Sequence, residues 1–117
     1  MGSSSVPSLE GRVFGVADSG GGAATTDTRL RYSEQDRVVS ATYEGGTIRR
    51  GFLIGTRTGD SLDFRYVQLH DDGSTASGHC ITELELLSDG RIRLNETWAW
   101  ESREGSGQSV AEELPPR

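Results

Sequence analysis

Near the end of the chain, Ile92, Leu94, Glu96, Trp98 and Trp100 alternate with Arg93, Asn95 and Thr97. In a β-strand alternate residues share one face, and a face this apolar looks inward. Glu96 therefore places a carboxylate where desolvation of its charge is costly. Three arrangements answer that cost: an ion pair with an inward arginine such as Arg50, a hydrogen bond to Tyr66 or Tyr32, or retention of the proton. Each makes Glu96 either an acid/base group, with Tyr66 or Tyr32 orienting it, or an anchor for a polar group on a ligand. A buried ion pair that only fixes strand register is the structural alternative.

Trp98 and Trp100 stand two apart on the same face, the spacing that presents flat apolar surface along a lumen. Tyr32, Tyr43, Phe52, Phe64 and Tyr66 complete an aromatic lining, and Gln68, Thr82 and Glu112 add polar groups near its rims. Core filling explains at least one of the tryptophans equally well. Cys80 faces inward by parity and joins the lining as a buried thiol. Its neighbour His79 points the other way, so the two do not converge as a catalytic pair. The only histidines are His70 and His79, and no Cys/His group has the spacing of a metal site. The expectation is a site with no metal and no cofactor.

The elements that position these residues are strands. Turn signals recur at Ser19-Gly20-Gly21-Gly22, Gln35-Asp36, Gly45-Gly46, Thr58-Gly59-Asp60, Asp72-Gly73, Asp89-Gly90 and Glu104-Gly105-Ser106-Gly107. They delimit strands over Leu9–Asp18, Thr28–Glu34, Arg37–Glu44, Thr47–Thr56, Ser61–His70, Ser77–Leu87, Arg91–Glu101 and Gln108–Glu113. No segment keeps the i, i+3, i+4, i+7 pattern of a helix. Leu30 and Tyr32 alternate inward, as do Leu62, Phe64, Tyr66 and Gln68, and Cys80, Thr82, Leu84 and Leu86. In the fourth strand Ile48, Arg50, Phe52 and Ile54 compete with Gly51, Leu53 and Gly55; the larger side chains favour Phe52 and Ile54 inward. Residues 19–27 form the longest connection, a loop or lid at one end. Eight consecutive strands suffice to close a small barrel with a side-chain-lined interior.

Composition sets the outer bounds. A chain of 117 residues makes one domain, with residues 1–8 as a leader, 9–113 as the barrel and 114–117 as a tail ended by Pro115-Pro116. The hydrophobic share of 32% and the 16 glycines fit thin β-structure. Net charge is −6 and every cation is arginine, so no basic patch suits nucleic acid, and the lysine-free composition hints at a bacterial source. No apolar run is long enough for a membrane helix. Met1-Gly2-Ser3-Ser4-Ser5 lacks the regions of a signal peptide, and the single cysteine forms no internal disulfide, which points to a cytoplasmic setting.

Val39 to Glu113 resembles a family of small bacterial proteins that carry the label N-acetylglutamate synthase. The resemblance rests on Ala41-Thr42-Tyr43-x-Gly45-Gly46, Gly51-x-Leu53-x-Gly55, Leu62-Asp63-x-Arg65-Tyr66, Gly78-x-Cys80, Leu87-x-Asp89-Gly90-Arg91-x-Arg93-Leu94 and Glu96-x-Trp98-x-Trp100. Arg12 to Ala17 matches the loose R-x-x-G-x-A pattern of acyl-CoA-binding acetyltransferases, but no helix follows to hold a pyrophosphate. The architecture is similar to the calycins, the lipocalin- and avidin-like barrels, although Gly11-Arg12-Val13 stands where lipocalins carry Gly-x-Trp. Related small barrels serve biosynthetic pathways as cyclases and isomerases, an analogy of fold.

The expected protein is all-β: an eight-stranded antiparallel up-and-down meander closed into a small calycin-like barrel. Its expected function is to hold a small apolar or aromatic molecule in an aromatic-lined lumen. A cyclase or isomerase using Glu96 is one alternative, and a solidly packed barrel that dimerises through outward Val67, Leu69 and Ile81 is the other. A lumen of about 300 Å³ or more separates the first two from the third.

Overall fold

A computed structural model describes residues 5–115. Its strands are β1 (Val13–Asp18), β2 (Arg29–Gln35), β3 (Val38–Gly45), β4 (Ile48–Thr58), β5 (Ser61–His70), β6 (Thr75–Leu86), β7 (Ile92–Trp100) and β8 (Ser106–Glu113). Each pairs antiparallel with the next, and β1 pairs back onto β8, so the meander closes into a barrel. The short connections dictate that order. Asp36 and Arg37, for instance, both adopt positive φ (52° and 64°), the pair of left-handed residues a two-residue type I′ hairpin requires.

One end is packed shut. Leu9, Phe14, Val39, Leu62, Ile92, Leu94 and Ala111 are fully buried there, with Tyr32 nearly so, and the Phe14 and Tyr32 rings meet edge to face at 5.3 Å. The segment before β1 plugs this end. The first strand begins at Val13 rather than Leu9, because Arg12 N–H donates to the Leu9 carbonyl and Gly11 turns the chain with φ 75°. Val6 and Leu9 are thereby buried under the strands. Of the leader expected over residues 1–8, residues 1–4 lie outside the described residues, as do 116–117 of the tail.

Arg57 fastens the plug. Its guanidinium, only 5% exposed, donates to the carbonyls of Val6, Pro7 and Gly59 and pairs with Glu34 at 3.1 Å and Asp60 at 3.2 Å. Asp60 in turn accepts from the backbone N–H groups of Ser5 and Val6, and Glu34 accepts from that of Leu9. A buried cation is tolerated where its donors are satisfied and countercharges stand beside it.

The expected facing of β4 is reversed. Leu53 is buried, whereas Phe52 is 51% and Ile54 63% exposed. The reason is a register shift between Ile48 and Arg50 in the pairing with β5. The extra residue of such a bulge changes the parity of everything after it. Ile48 points inward before the shift; Leu53 and Arg57 do so after it, and Arg50 is exposed.

Candidate functional site

The other end of the barrel is open beneath a roof. A cavity of about 90 Å³ lies there, walled by Leu30, Tyr43, Leu53, Phe64, Tyr66, Gln68, Cys80, Glu96, Trp98, Trp100 and Ser109, with Gly22, Ala23 and Ala24 above it. It is smaller than the expected lumen, yet the barrel is not packed solid. At the roughly 10–15 Å³ that one water occupies by this measure, it holds about six to nine waters.

The β1–β2 connection forms the roof and is held on both sides. At Gly20 the backbone lies so close to the Gln108 carbonyl that a Cβ has no room. On the far side the Thr28 hydroxyl donates to the Gly45 carbonyl at 3.3 Å, and Thr28 N–H donates to the Thr25 carbonyl at 2.9 Å. Only small residues remain to face the cavity. The loop or lid expected over residues 19–27 thus lies over the cavity.

The aromatic wall is built on glycines. Tyr43 stands opposite Gly51, Phe64 opposite Gly55, Tyr66 opposite Gly78, and Trp98 opposite Gly107, each as direct cross-strand partners. A Cβ at Gly51 would enter the Tyr43 ring, and one at Gly107 would stand 2.7 Å from Trp98. Each ring thus lies down over a bare stretch of neighbouring backbone, which narrows the lumen without closing it. Phe64, Tyr66, Trp100 and Trp98 then form one chain of edge-to-face contacts, with centroids 6.4, 5.6 and 5.7 Å apart. From outside the cavity wall, the Arg103 guanidinium sits 4.6 Å from the Trp100 ring centre.

Two polar sets interrupt this surface. Tyr43 donates its hydroxyl to Gln68 Oε1 at 2.9 Å, and Gln68 Nε2 lies 3.3 Å from Nε2 of His70. Burial, followed by the nearby Tyr66, Glu96 and Cys80, holds the Tyr43 hydroxyl well above its ordinary range. Opposite stands Glu96, whose Oε1 accepts from Ser109 at 2.7 Å. The surface it keeps opens into the cavity. Desolvation pushes its carboxyl above the ordinary 4.5, and the Ser109 bond only partly opposes this. Cys80 approaches the Thr82 hydroxyl at 3.5 Å; burial first, and then Glu96, push its thiol up to about 12, so it is an unreactive wall group.

Tyr43, Phe64, Tyr66, Gln68, Cys80, Glu96, Trp98 and Trp100 thus meet around one space. Other sequence expectations are corrected, Leu86 among them, which was expected inward and is 47% exposed. Phe52 points outward, and Leu53 takes its place at the wall. Tyr32 is buried at the packed end, and its hydroxyl is the one buried side-chain polar atom without a hydrogen-bond partner among the described residues. Arg50 is exposed, and no ion pair with Glu96 occurs among the described residues. Thr82 is buried deep, away from any rim, and Glu112 faces outward to pair with Arg93 at 2.9 Å. Ser109 was not anticipated; Gly22 to Ala24 of the roof lie within the loop or lid expected over residues 19–27. No signal within its own strand pointed to Ser109; the pairing register makes it the direct β8 partner of Glu96.

The exterior carries charge ladders such as Arg65–Glu101 and Arg31–Glu44, weak at exposed positions. Phe52 and its cross-strand partner Val67 interrupt them, together with Ile54. Among the described residues, no group of three or more His, Cys, Asp or Glu is placed to hold a metal ion.

A family model described as Avidin-like protein matches residues 7–114. No curated protein matches the chain, and no solved structure does.

Proposed function

This chain belongs to the avidin-like protein family, and from that premise we propose that it holds a small, mostly apolar molecule under the 19–27 lid. Avidin-like barrels bind small ligands. The observation that carries the reading here is the roofed cavity walled by the Phe64–Tyr66–Trp100–Trp98 chain, with Glu96 as the polar anchor. A volume of about 90 Å³ limits the enclosed part of the ligand to a single ring or compact head.

Intrinsic tryptophan fluorescence, followed during titration with compact apolar and aromatic compounds and with the dye ANS, tests this. Saturable quenching in the wild type that Trp98→Ala abolishes is expected. A folded wild type that responds to no compound overturns the reading.

Glu96, lining the cavity with its carboxyl raised by desolvation, favours a second reading, in which the same cavity is that of a cyclase or isomerase. Glu96 then gives and recovers a proton, and Tyr66 orients the substrate. A Glu96→Gln barrel that still binds a converted compound but no longer converts it supports this reading. Unchanged turnover in that variant removes it. We further propose that the outward Phe52–Ile54–Val67 face suits a homodimer. A shift from dimer to monomer on Phe52→Asp in sedimentation supports that assignment, and a monomeric wild type removes it.

A further inference from the structure

Any full charge the side chains of the cavity wall carry at neutral pH is negative. Glu96 is the only carboxyl group among its walls, and no arginine or histidine belongs to them. Ser109 is its one hydrogen-bond donor among the described side chains. The described ion pairs lie elsewhere, on the outer strands or around Arg57. The aromatic chain beside Glu96 adds to the same sign, because ring faces carry negative potential. One ring of the chain already meets a cation from outside the cavity: Arg103, in the β7–β8 connection, sits 4.6 Å from the Trp100 ring centre.

What the site lacks is the countercharge. A neutral apolar ligand offers no partner to the face of Glu96 that opens into the cavity, and an anion meets Glu96 and the ring faces with the wrong sign. We propose that the ligand carries a compact organic cation, a quaternary or protonated ammonium, with Glu96 as its counterion and Tyr66, Trp98 and Trp100 as its aromatic wall. The inference rests on the cavity being a ligand site, as proposed above, and names the chemical class of what enters it. The room for about six to nine waters suits a trimethylammonium head with a short chain.

A proton balance follows. Burial in the empty barrel shifts Glu96 towards its protonated form, whereas a bound cation shifts it towards the carboxylate, so cation uptake displaces a proton when Glu96 starts protonated. The groups that face it are Tyr43 from β3, Tyr66 from β5, Cys80 from β6 and Ser109 from β8, with Tyr32 of β2 behind them. The tyrosine and cysteine groups stay neutral at physiological pH, since burial raises all of them. Cation affinity therefore rises with pH until Glu96 is fully ionised.

Choline and 3,3-dimethyl-1-butanol share shape and hydroxyl but differ in charge, which makes them the decisive pair. Each is titrated into wild type and Glu96→Gln by tryptophan fluorescence, with folding confirmed by circular dichroism. Choline is expected to bind at least about tenfold tighter than the alcohol in the wild type. In Glu96→Gln the preference collapses towards unity while the alcohol still binds. Equal or tighter binding of the alcohol to the wild type overturns the cation assignment and leaves the apolar cavity standing. A preference that survives Glu96→Gln overturns Glu96 as the counterion. Binding of neither compound, or of anything else in the panel, overturns the cavity reading itself.

Discussion

The two ends of this barrel solve opposite problems with the same strands. At the closed end the chain brings in its own plug and satisfies every donor of a buried arginine with carbonyls and two acids. At the open end a half-buried acid has only Ser109 among the described side chains, glycines stand where side chains would fill space, and the roof is made of glycine and alanine. Charge is matched where the barrel is shut and left unmatched where it is roofed. A fold that needed only stability would treat both ends alike. That difference is the ground on which we propose the open end as the ligand site.

Breaking the closed end has the largest expected effect on stability. Arg57→Ala removes the countercharge beside Glu34 and Asp60 and loosens the plug, and is expected to cost about 3–5 kcal/mol, read as a lower urea midpoint at pH 7. Gly51→Ala attacks the open end through its packing. The added methyl enters the Tyr43 ring, so a loss of about 1–3 kcal/mol and a weakened fluorescence response to ligand are expected. If that variant is as stable as wild type, the glycine–aromatic pairing is not what shapes the wall.

Trp98→Ala sharpens the contrast, because it removes half-buried surface from the ligand's side. A stability loss of about 1–2 kcal/mol is expected, together with complete loss of ligand-induced quenching. Glu96→Gln goes the other way and raises the melting temperature at neutral pH. The folded barrel holds the Glu96 proton more tightly than the unfolded chain does. Its contribution to stability is therefore complete below pH 4.5 and is lost as pH rises through the folded-state pKa. Melting curves at pH 4 and pH 7.5 check this: wild type and variant should converge at the lower pH and separate at the higher. Tyr32→Phe is the smallest change. It deletes an unpartnered hydroxyl, so stability within about 0.5 kcal/mol of wild type, or above it, is expected by denaturant titration.

Much of the site was legible because alternation is a local property. Leu94, Glu96, Trp98 and Trp100 declared their common face within one strand, and Phe64, Tyr66 and Gln68 did the same in β5. The closed meander followed from glycine-marked hairpins at regular spacing. In β4 the same reasoning misled, since size favoured Phe52 and a bulge near Arg49 silently changed the parity. The cue that corrects it was present: Gly51 and Gly55 are where Tyr43 and Phe64 need bare backbone opposite them. Recognising that cue requires knowing which residues face each other across strands, and pairing register is not a local property.

The sequence by itself determined the strands, the order in which they pair, and the isolation of Glu96 on an apolar face, because each of these depends on period-two patterning and turn chemistry. Tertiary structure decided the rest. It brought Val6 and Leu9 across the strands as a plug and set Arg57 between two acids. It folded residues 19–27 over the mouth, and it set Ser109 beside Glu96 and Leu53 in the wall. These choices depend on where the barrel closes and on how the bulge shifts its register, both properties of the assembled sheet rather than of any one strand.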